Sequence, residues 1–586
     1  MLATARTDRN RTASHFASTL PSESEKPEPE PRQDIAMLYT FIGLLFAALP
    51  EERALQFWGS GSQQGSFRPT YQESVESISG RLPAFLQWAV WSTPTQDLTM
   101  LIALYDMLSG LANGQQCSEL AYNFMARGGG EVLAGSMLSS TSGPSVSWIA
   151  IFGLLDSWAV SAANPRSQPQ AQPQGLSAPF GSSFQNLAAS QATSQQFIIG
   201  PKTVLLARLF LRVLSTVVTH SVAVRTTICG HVHFRAIPTL LSLIPLGIPL
   251  ELKSAIFEAL AAFCEPGAGA AGVEICKAVW TLMERLEVIN VRMWPSTGVS
   301  MATGKGMEVE LEQIESAHKS YPATIPFLKL LSTLIHTPKQ ISLQDQVAGT
   351  EPLNTIPESL GQPYRFPGIG PYVSFVVENV FAKIPHRDYF RPSDRWETNN
   401  LCLCFIERSL ASFNLESLIT GPDDPSLNLE SLIPILIHPG YDITKRLLTD
   451  SQLRASILSY VVEGLEGFEK GLADKDPFFR NTIVRVLRIV LRALKIQDIF
   501  LDVFILLLSN FNSSSFVGQV HSRSHFTRID QALLFGPQYI PAVAAYMAYP
   551  SHSELVLLSV KILAKLSLSI SPSTLVTLIE RSVESE

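Results

Sequence analysis

From Asp34 onward, apolar residues arrive in runs of roughly 12–20 with helical spacing, and such runs recur almost to the C-terminal end. Short clusters of Gly, Pro, Ser or Asn separate them. Examples are LTMLIALYDMLSGLA at 98–112, SWIAIFGLLDSWAVSAA at 147–163, ELKSAIFEALAAFC at 251–264, PYVSFVVENVFAKI at 371–384 and SQLRASILSYVVEGLEGF at 451–468. Nowhere does a period of two persist, so no sheet is expected. The pattern yields roughly twenty helices of ordinary length. At 586 residues the chain is also too long for one hydrophobic core. Helix pairs stacked along an axis satisfy both constraints. The expected fold is therefore all-α: an irregular α-solenoid superhelix of HEAT/armadillo-like antiparallel helix pairs. The spacing is uneven and no consensus repeat aligns, as in a degenerate array.

Charged residues make up only 16% of the chain, against roughly a quarter in ordinary soluble domains. Much of each helix must then be covered by protein. RNTIVRVLRIVLRALK at 480–495 illustrates this. Arg485, Arg488, Arg492 and Lys495 fall on one face at steps of 3, 4 and 3, forming a narrow wet edge on an otherwise buried helix. Residues 1–33, ending in PSESEKPEPEPR, read as a disordered tail. Solenoid repeats are expected over 34–163 and 197–586, joined by a Pro/Gln/Ser-rich linker at 164–196, with a loop-rich break near 337–370.

Several functions are excluded or disfavoured. A net charge of −7 argues against nucleic acid as a direct partner. The apolar stretch 35–50 is shorter than a membrane span needs and reads as a buried helix. Longer apolar segments carry internal charges, such as Arg208 and Arg212, so no transmembrane span is expected. Six scattered cysteines suit a reducing compartment better than a disulfide framework. Gly267, Gly269 and Gly272 spell G-x-G-x-x-G, but they follow a helical run instead of a strand, and read as an inter-helix turn. The stretch Gly304-Lys305-Gly306 lacks the hydroxyl a phosphate loop needs after its lysine. Cys229-Gly230-His231-Val232-His233 and Cys402-Leu403-Cys404 each lack the second ligand pair that zinc prefers. No nucleophile motif occurs. The expectation is a non-enzyme without cofactor, metal or small-molecule substrate.

Three stretches carry a family likeness: AFLQWAVWSTPTQDLTMLIALYDMLSGLANGQQCSELAYNFMARGGGEV at 84–132, EICKAVWTLMERLEVINVR at 274–292, and PGIGPYVSFVVENVFAKIPHRDYFRPSDRWETNNLCLCFIERSLASFNLESLI at 367–419. They resemble the giant inner-ring scaffold nucleoporins of the nuclear pore complex, the fungal member most strongly. The resemblance covers most of 34–586. It implies an α-solenoid of HEAT-like and armadillo-like repeats at the nuclear envelope. It further implies a structural role in nucleocytoplasmic transport, with other nucleoporins, especially disordered linker nucleoporins, as partners. Family members are much longer, so the chain is expected to be a section of the N-terminal half. A karyopherin-like transport receptor is the alternative solenoid, although such receptors are usually more acidic.

Solenoids bind peptides in furrows between helices, with aromatic anchors. Trp88 and Trp91 lie on one expected helix, Trp148 and Trp158 on another, and Leu101, Leu104 and Leu108 form a stripe on a third between them. Trp148, Trp158 and Leu104 are the candidate partner-binding residues. Any one of them is also an ordinary core residue by composition.

Overall fold

The computed structural model describes residues 34–58, 85–86, 89–90, 93, 97–126, 146–163, 200–291, 306–337, 354–415, 418, 429–511 and 525–569. The expected tail at 1–33, the expected linker at 164–196, Trp88 and Trp91 lie outside the described residues. Among the described residues every regular element is a helix and no strand occurs. Helices stack on near neighbours in sequence, so the fold is all-α of the solenoid class. Packing divides the chain into two compact units, Met1–Thr239 with Leu246–Leu252, and Leu240–Pro245 with Lys253–Glu586.

In the first unit the helices are α1 Asp34–Ala48, α2 Glu51–Phe57, α3 Leu98–Leu111, α4 Gln115–Ala126, α5 Trp148–Ala163, α6 Pro201–His220 and α7 Val222–Gly230. Asp97 caps α3 by accepting from the Met100 N–H at 3.2 Å. α1 crosses α3 backbone against backbone, because both helices present glycine at the crossing. A Cβ on Gly110 would sit 2.0 Å from the Gly43 carbonyl oxygen, and one on Gly43 would sit 2.7 Å from the Asp106 carbonyl oxygen. The Glu51 carboxylate reaches across to the start of α4 and accepts from the Gln116 N–H at 2.7 Å, where the helix dipole favours an anion. Ser221 ends α6 and caps α7, accepting from Val224 N–H at 3.3 Å and donating to Glu119 at 3.1 Å. Arg225 of α7 is fully buried and donates to the Val218 carbonyl at 2.8 Å, among the unsatisfied carbonyls at the end of α6.

The 35–50 stretch departs from the expectation of a buried helix. α1 buries Ala36, Tyr39 and Gly43, but Met37 is 68% exposed and Phe41 60%, with Leu38, Leu44 and Leu45 on the same side. Its glycine face lies on α3, and among the described residues nothing covers the opposite stripe. α6 is the one described helix long and apolar enough to cross a membrane. It packs Val204, Ala207, Phe210, Leu211, Leu214 and Val218 against protein, and its Arg212 is paired to Asp106 of α3 at 2.9 Å.

α8 Ala236–Leu243 and α9 Leu250–Phe263 span the division between the units. The second unit continues with α10 Gly269–Arg285, α11 Thr324–Thr333, α12 Pro392–Ala411, α13 Pro439–Leu447, α14 Gln452–Glu469, α15 Pro477–Ile499, α16 Tyr539–Ala545 and α17 Ser553–Ser569. Gly267 and Gly269, at φ +116° and +57°, form the turn between α9 and α10, where the sequence places an inter-helix turn. Glu315 is buried and caps α11, accepting from the Ala323 N–H at 2.7 Å and from the Thr324 N–H and hydroxyl. The expected helix at 371–384 is broken into an α turn at Gly370–Ser374, a π segment at Phe375–Val380 and a 3₁₀ segment at Phe381–His386. Pro385 lies inside the 3₁₀ segment, where it supplies no N–H to an α-helical ladder. Within the expected break, Arg365 forks onto Glu284 of α10 with two bonds of 2.8 Å, pinning the segment beside it.

The basic stripe is the least buried edge of α15, and most of it is also tied to neighbouring helices. Arg485 and Arg488 both bind Glu407 of α12, Arg488 also binds Glu554 of α17, and Arg492 donates to the Leu410 and Phe413 carbonyls at the end of α12. Its first three members therefore fasten α15 to the helices on either side, and Lys495 alone stays exposed.

Candidate docking furrow

An apolar furrow of about 90 Å³ opens in the first unit, among α3, α5 and α6. α3 contributes Leu101 and Tyr105; α5 contributes Ala150, Ile151, Leu154 and Leu155; α6 contributes Leu206, Ala207 and Phe210. The helical period sets this lining: Leu101 and Tyr105 are four apart, as are Ile151 and Leu155, and Leu206 and Phe210, so each pair shares a face.

Phe210 is the hub beneath the furrow. Its ring meets Tyr105, Trp148 and Phe152 edge-on at 6.3, 6.0 and 6.0 Å. Phe152 stacks on Phe234 at 5.0 Å, and Phe234 on His231 at 3.7 Å. Rings in edge and offset contact form a stiff base. Two ties hold α3 and α6 together: the Asp106–Arg212 pair and the Ser109–Thr216 hydroxyl contact at 3.4 Å. Burial pushes the Asp106 carboxyl above its ordinary value, and the Arg212 guanidinium partly offsets this.

The structure places the three candidate residues inside the helix packing. Trp148 is fully buried, stacks on Tyr122 at 5.9 Å and donates its indole N–H to the Tyr122 carbonyl at 2.9 Å. Its ring meets the lining residue Phe210 at 6.0 Å. Leu104 is fully buried and lies on α3 beside the lining residue Tyr105. Trp158 is 7% exposed and is not part of the lining. Leu101 of the expected stripe does line it. Of the residues named from the sequence on α3 and α5, only Leu101 is in the lining. The third wall, α6, was not anticipated, since nothing local in PKTVLLARLFLRVL says which earlier helices it meets.

The lining carries no carboxylate, imidazole, thiol or amine, so the furrow is equipped for dispersion and apolar burial and not for chemistry. A cavity of ~150 Å³ takes benzene; at about 90 Å³ this one is of a size for one aliphatic side chain.

The family described as "Nuclear pore complex scaffold, nucleoporins 186/192/205" matches residues 5–586. Nuclear pore complex protein Nup205 of Homo sapiens is 26% identical over 445 residues, covering 74% of this chain and 20% of the human protein. Nucleoporin NUP192 of Chaetomium thermophilum is 23% identical over 562 residues, covering 93% of this chain and 29% of the fungal protein. Nucleoporin nup186 of Schizosaccharomyces pombe is 21% identical over 271 residues, 43% of this chain and 16% of that protein. The chain therefore spans less than a third of the length of each of these relatives.

Proposed function

The chain belongs to the nuclear pore complex scaffold family of nucleoporins 186/192/205, and from that premise we propose that it serves as a structural section of the pore scaffold at the nuclear envelope. In this role it binds other nucleoporins and supports nucleocytoplasmic transport. The observation that carries the reading is the family match across residues 5–586. The furrow supports the manner of binding: a short apolar motif of a disordered linker nucleoporin inserts one aliphatic side chain between α3, α5 and α6. Trp148 and Leu104 act from behind, by fixing Phe210 and α3, and Trp158 by holding α5 in place.

The size of the furrow sets how much binding it can supply. Burying one aliphatic side chain contributes about 1.5–3 kcal/mol, whereas a micromolar complex needs about 8 kcal/mol. The furrow is accordingly one anchor among several along an extended partner, as suits a scaffold met by long disordered linkers. The reading includes the absence of catalysis, in keeping with a family described as a scaffold. The transport-receptor alternative gains no support from the comparisons. Affinity isolation of the tagged chain from nuclear envelopes tests the proposal. Recovery of other nucleoporins is the expected result; recovery of basic cargo with a small GTPase, and no nucleoporins, would overturn it.

A further inference from the structure

The second unit holds a separate cleft of about 370 Å³, and its lining differs in kind from the furrow. Tyr321, Pro322, Ile325 and Pro326, around the start of α11, form an apolar wall, and Phe390 stands at the rim, 80% exposed. The rim is held firmly. The Phe390 N–H donates to the Lys319 carbonyl at 2.8 Å, Lys319 pairs with Asp388 at 2.7 Å, and the Tyr321 hydroxyl donates to the Asp388 carbonyl at 3.0 Å. The Tyr321 and Tyr389 rings lie 4.8 Å apart beneath it. A large aromatic ring exposed beside a concave wall, on a backbone tied down by its N–H, has the form of a partner anchor.

The charge of the cleft states what kind of partner fits. Glu258 of α9 and Asp394 and Glu397 of α12 all face it, and among the described residues none of the three is in an ion pair. Arg391 is the single cation in the lining, and Lys329 acts on Glu397 from nearby. Both α12 carboxyls sit above their ordinary range. Burial is the main cause for each; Asp394, Asp476 and Glu258 add to it at Glu397, while Arg391 offsets it at Asp394 and Lys329 at Glu397. The carboxylates are thus crowded together without enough cation to balance them, in a cleft wide enough for a side chain.

We propose that this cleft docks a basic linear segment of a protein partner, with an arginine or lysine entering between Glu258, Asp394 and Glu397 and a neighbouring apolar residue packing on Phe390. A guanidinium suits the site better than an ammonium, because it can fork between carboxylates while its flat face lies against an aromatic ring. The site is independent of the furrow, so either can fail without the other.

The test is fluorescence anisotropy of the full chain with a labelled Gly-Arg-Gly-Phe-Gly-Arg-Gly peptide, at low and at physiological salt. Two variants probe the site: the isosteric triple E258Q/D394N/E397Q, and F390A. A third, E274Q/D450N/E466Q, removes the same formal charge from exposed positions elsewhere. The triple at the cleft is expected to weaken binding about tenfold and F390A about threefold, with the distal triple unchanged and all melting temperatures close to that of the parent. Equal losses in the two triples would overturn the proposal by showing that only net charge matters. So would undiminished binding to the cleft triple, or equal binding of the peptide with glutamate in place of arginine.

Discussion

Replacing Gly110 with alanine puts the α1–α3 crossing to a quantitative test. The new Cβ would lie 2.0 Å from the Gly43 carbonyl oxygen, and contacts below 3.0 Å essentially never occur, so the helices must part by about 1 Å. Parting by that much forfeits about a quarter to a half of each dispersion contact along the interface. Overpacking of this kind costs about 1–3 kcal/mol. Alanine in a helix interior opposes that with a gain of about 0.5–1 kcal/mol over glycine. The sterics win, because neither side of the contact is a flexible side chain: the obstacle is backbone. The expected net loss is about 1 kcal/mol, the middle of the ~0–2.5 kcal/mol that these two ranges leave. It should be concentrated in α1, which holds the protein by one narrow face and leaves Met37, Phe41 and Leu44 in solvent. Hydrogen exchange read by mass spectrometry on peptides from 34–48 and 98–111, alongside denaturant melts, separates local from global loss. Faster exchange in 34–48 with modest change in 98–111 is the predicted outcome. A stability gain near 1 kcal/mol, as propensity alone would give, would refute the backbone crossing.

Further outcomes follow from individual side chains. Trp148→Ala should lower stability by about 3–5 kcal/mol, read by chemical denaturation, because it empties a buried site and leaves the Tyr122 carbonyl without its donor. His438 caps α13 by accepting from the Gly440 N–H at 3.0 Å, and burial pushes its imidazole down to about 4. Its folded form therefore binds fewer protons than its unfolded form, so stability should fall as pH drops from the ordinary histidine value of about 6.5 toward 4. His438→Asn keeps a capping acceptor and should flatten that slope in melts across the same range. An unchanged slope would assign the acid sensitivity to other groups.

The helices were legible in the sequence where the apolar period was strong. The run at 98–112 became Leu98–Leu111, that at 251–264 became Leu250–Phe263, and that at 451–468 became Gln452–Glu469. The run at 371–384 failed as a single helix, because periodicity does not register the wider turn of the π segment at Phe375–Val380 or the tightening to 3₁₀ geometry after it. What the sequence withheld was long-range pairing. Glu51 caps a helix some 65 positions away, Gly43 and Gly110 meet across a gap of similar size, and Phe210 reaches back to Tyr105. Nothing in local spacing encodes such partners. The basic stripe of α15 shows the same limit. Its residues share a face as read, but whether that face meets water or the carboxylates of Glu407 and Glu554 depends on helices far off in sequence.

On the proposed reading the tryptophans stand behind the furrow and do not line it. Its lining is mostly alanine, leucine and isoleucine, with Tyr105 and Phe210 as the large rings, and Trp148 packs on Phe210 from behind. Ala150 is the informative position, being exposed and part of the lining, so bulk added there covers the mouth without entering the core. The decisive measurement is calorimetric titration of the chain and its Ala150→Trp variant with a linker-nucleoporin segment carrying an apolar motif. Loss of one aliphatic anchor predicts affinity weakened about tenfold in the variant, with an unchanged melting temperature. Identical affinity in both proteins, or no binding of nucleoporin segments to either, would contradict the account.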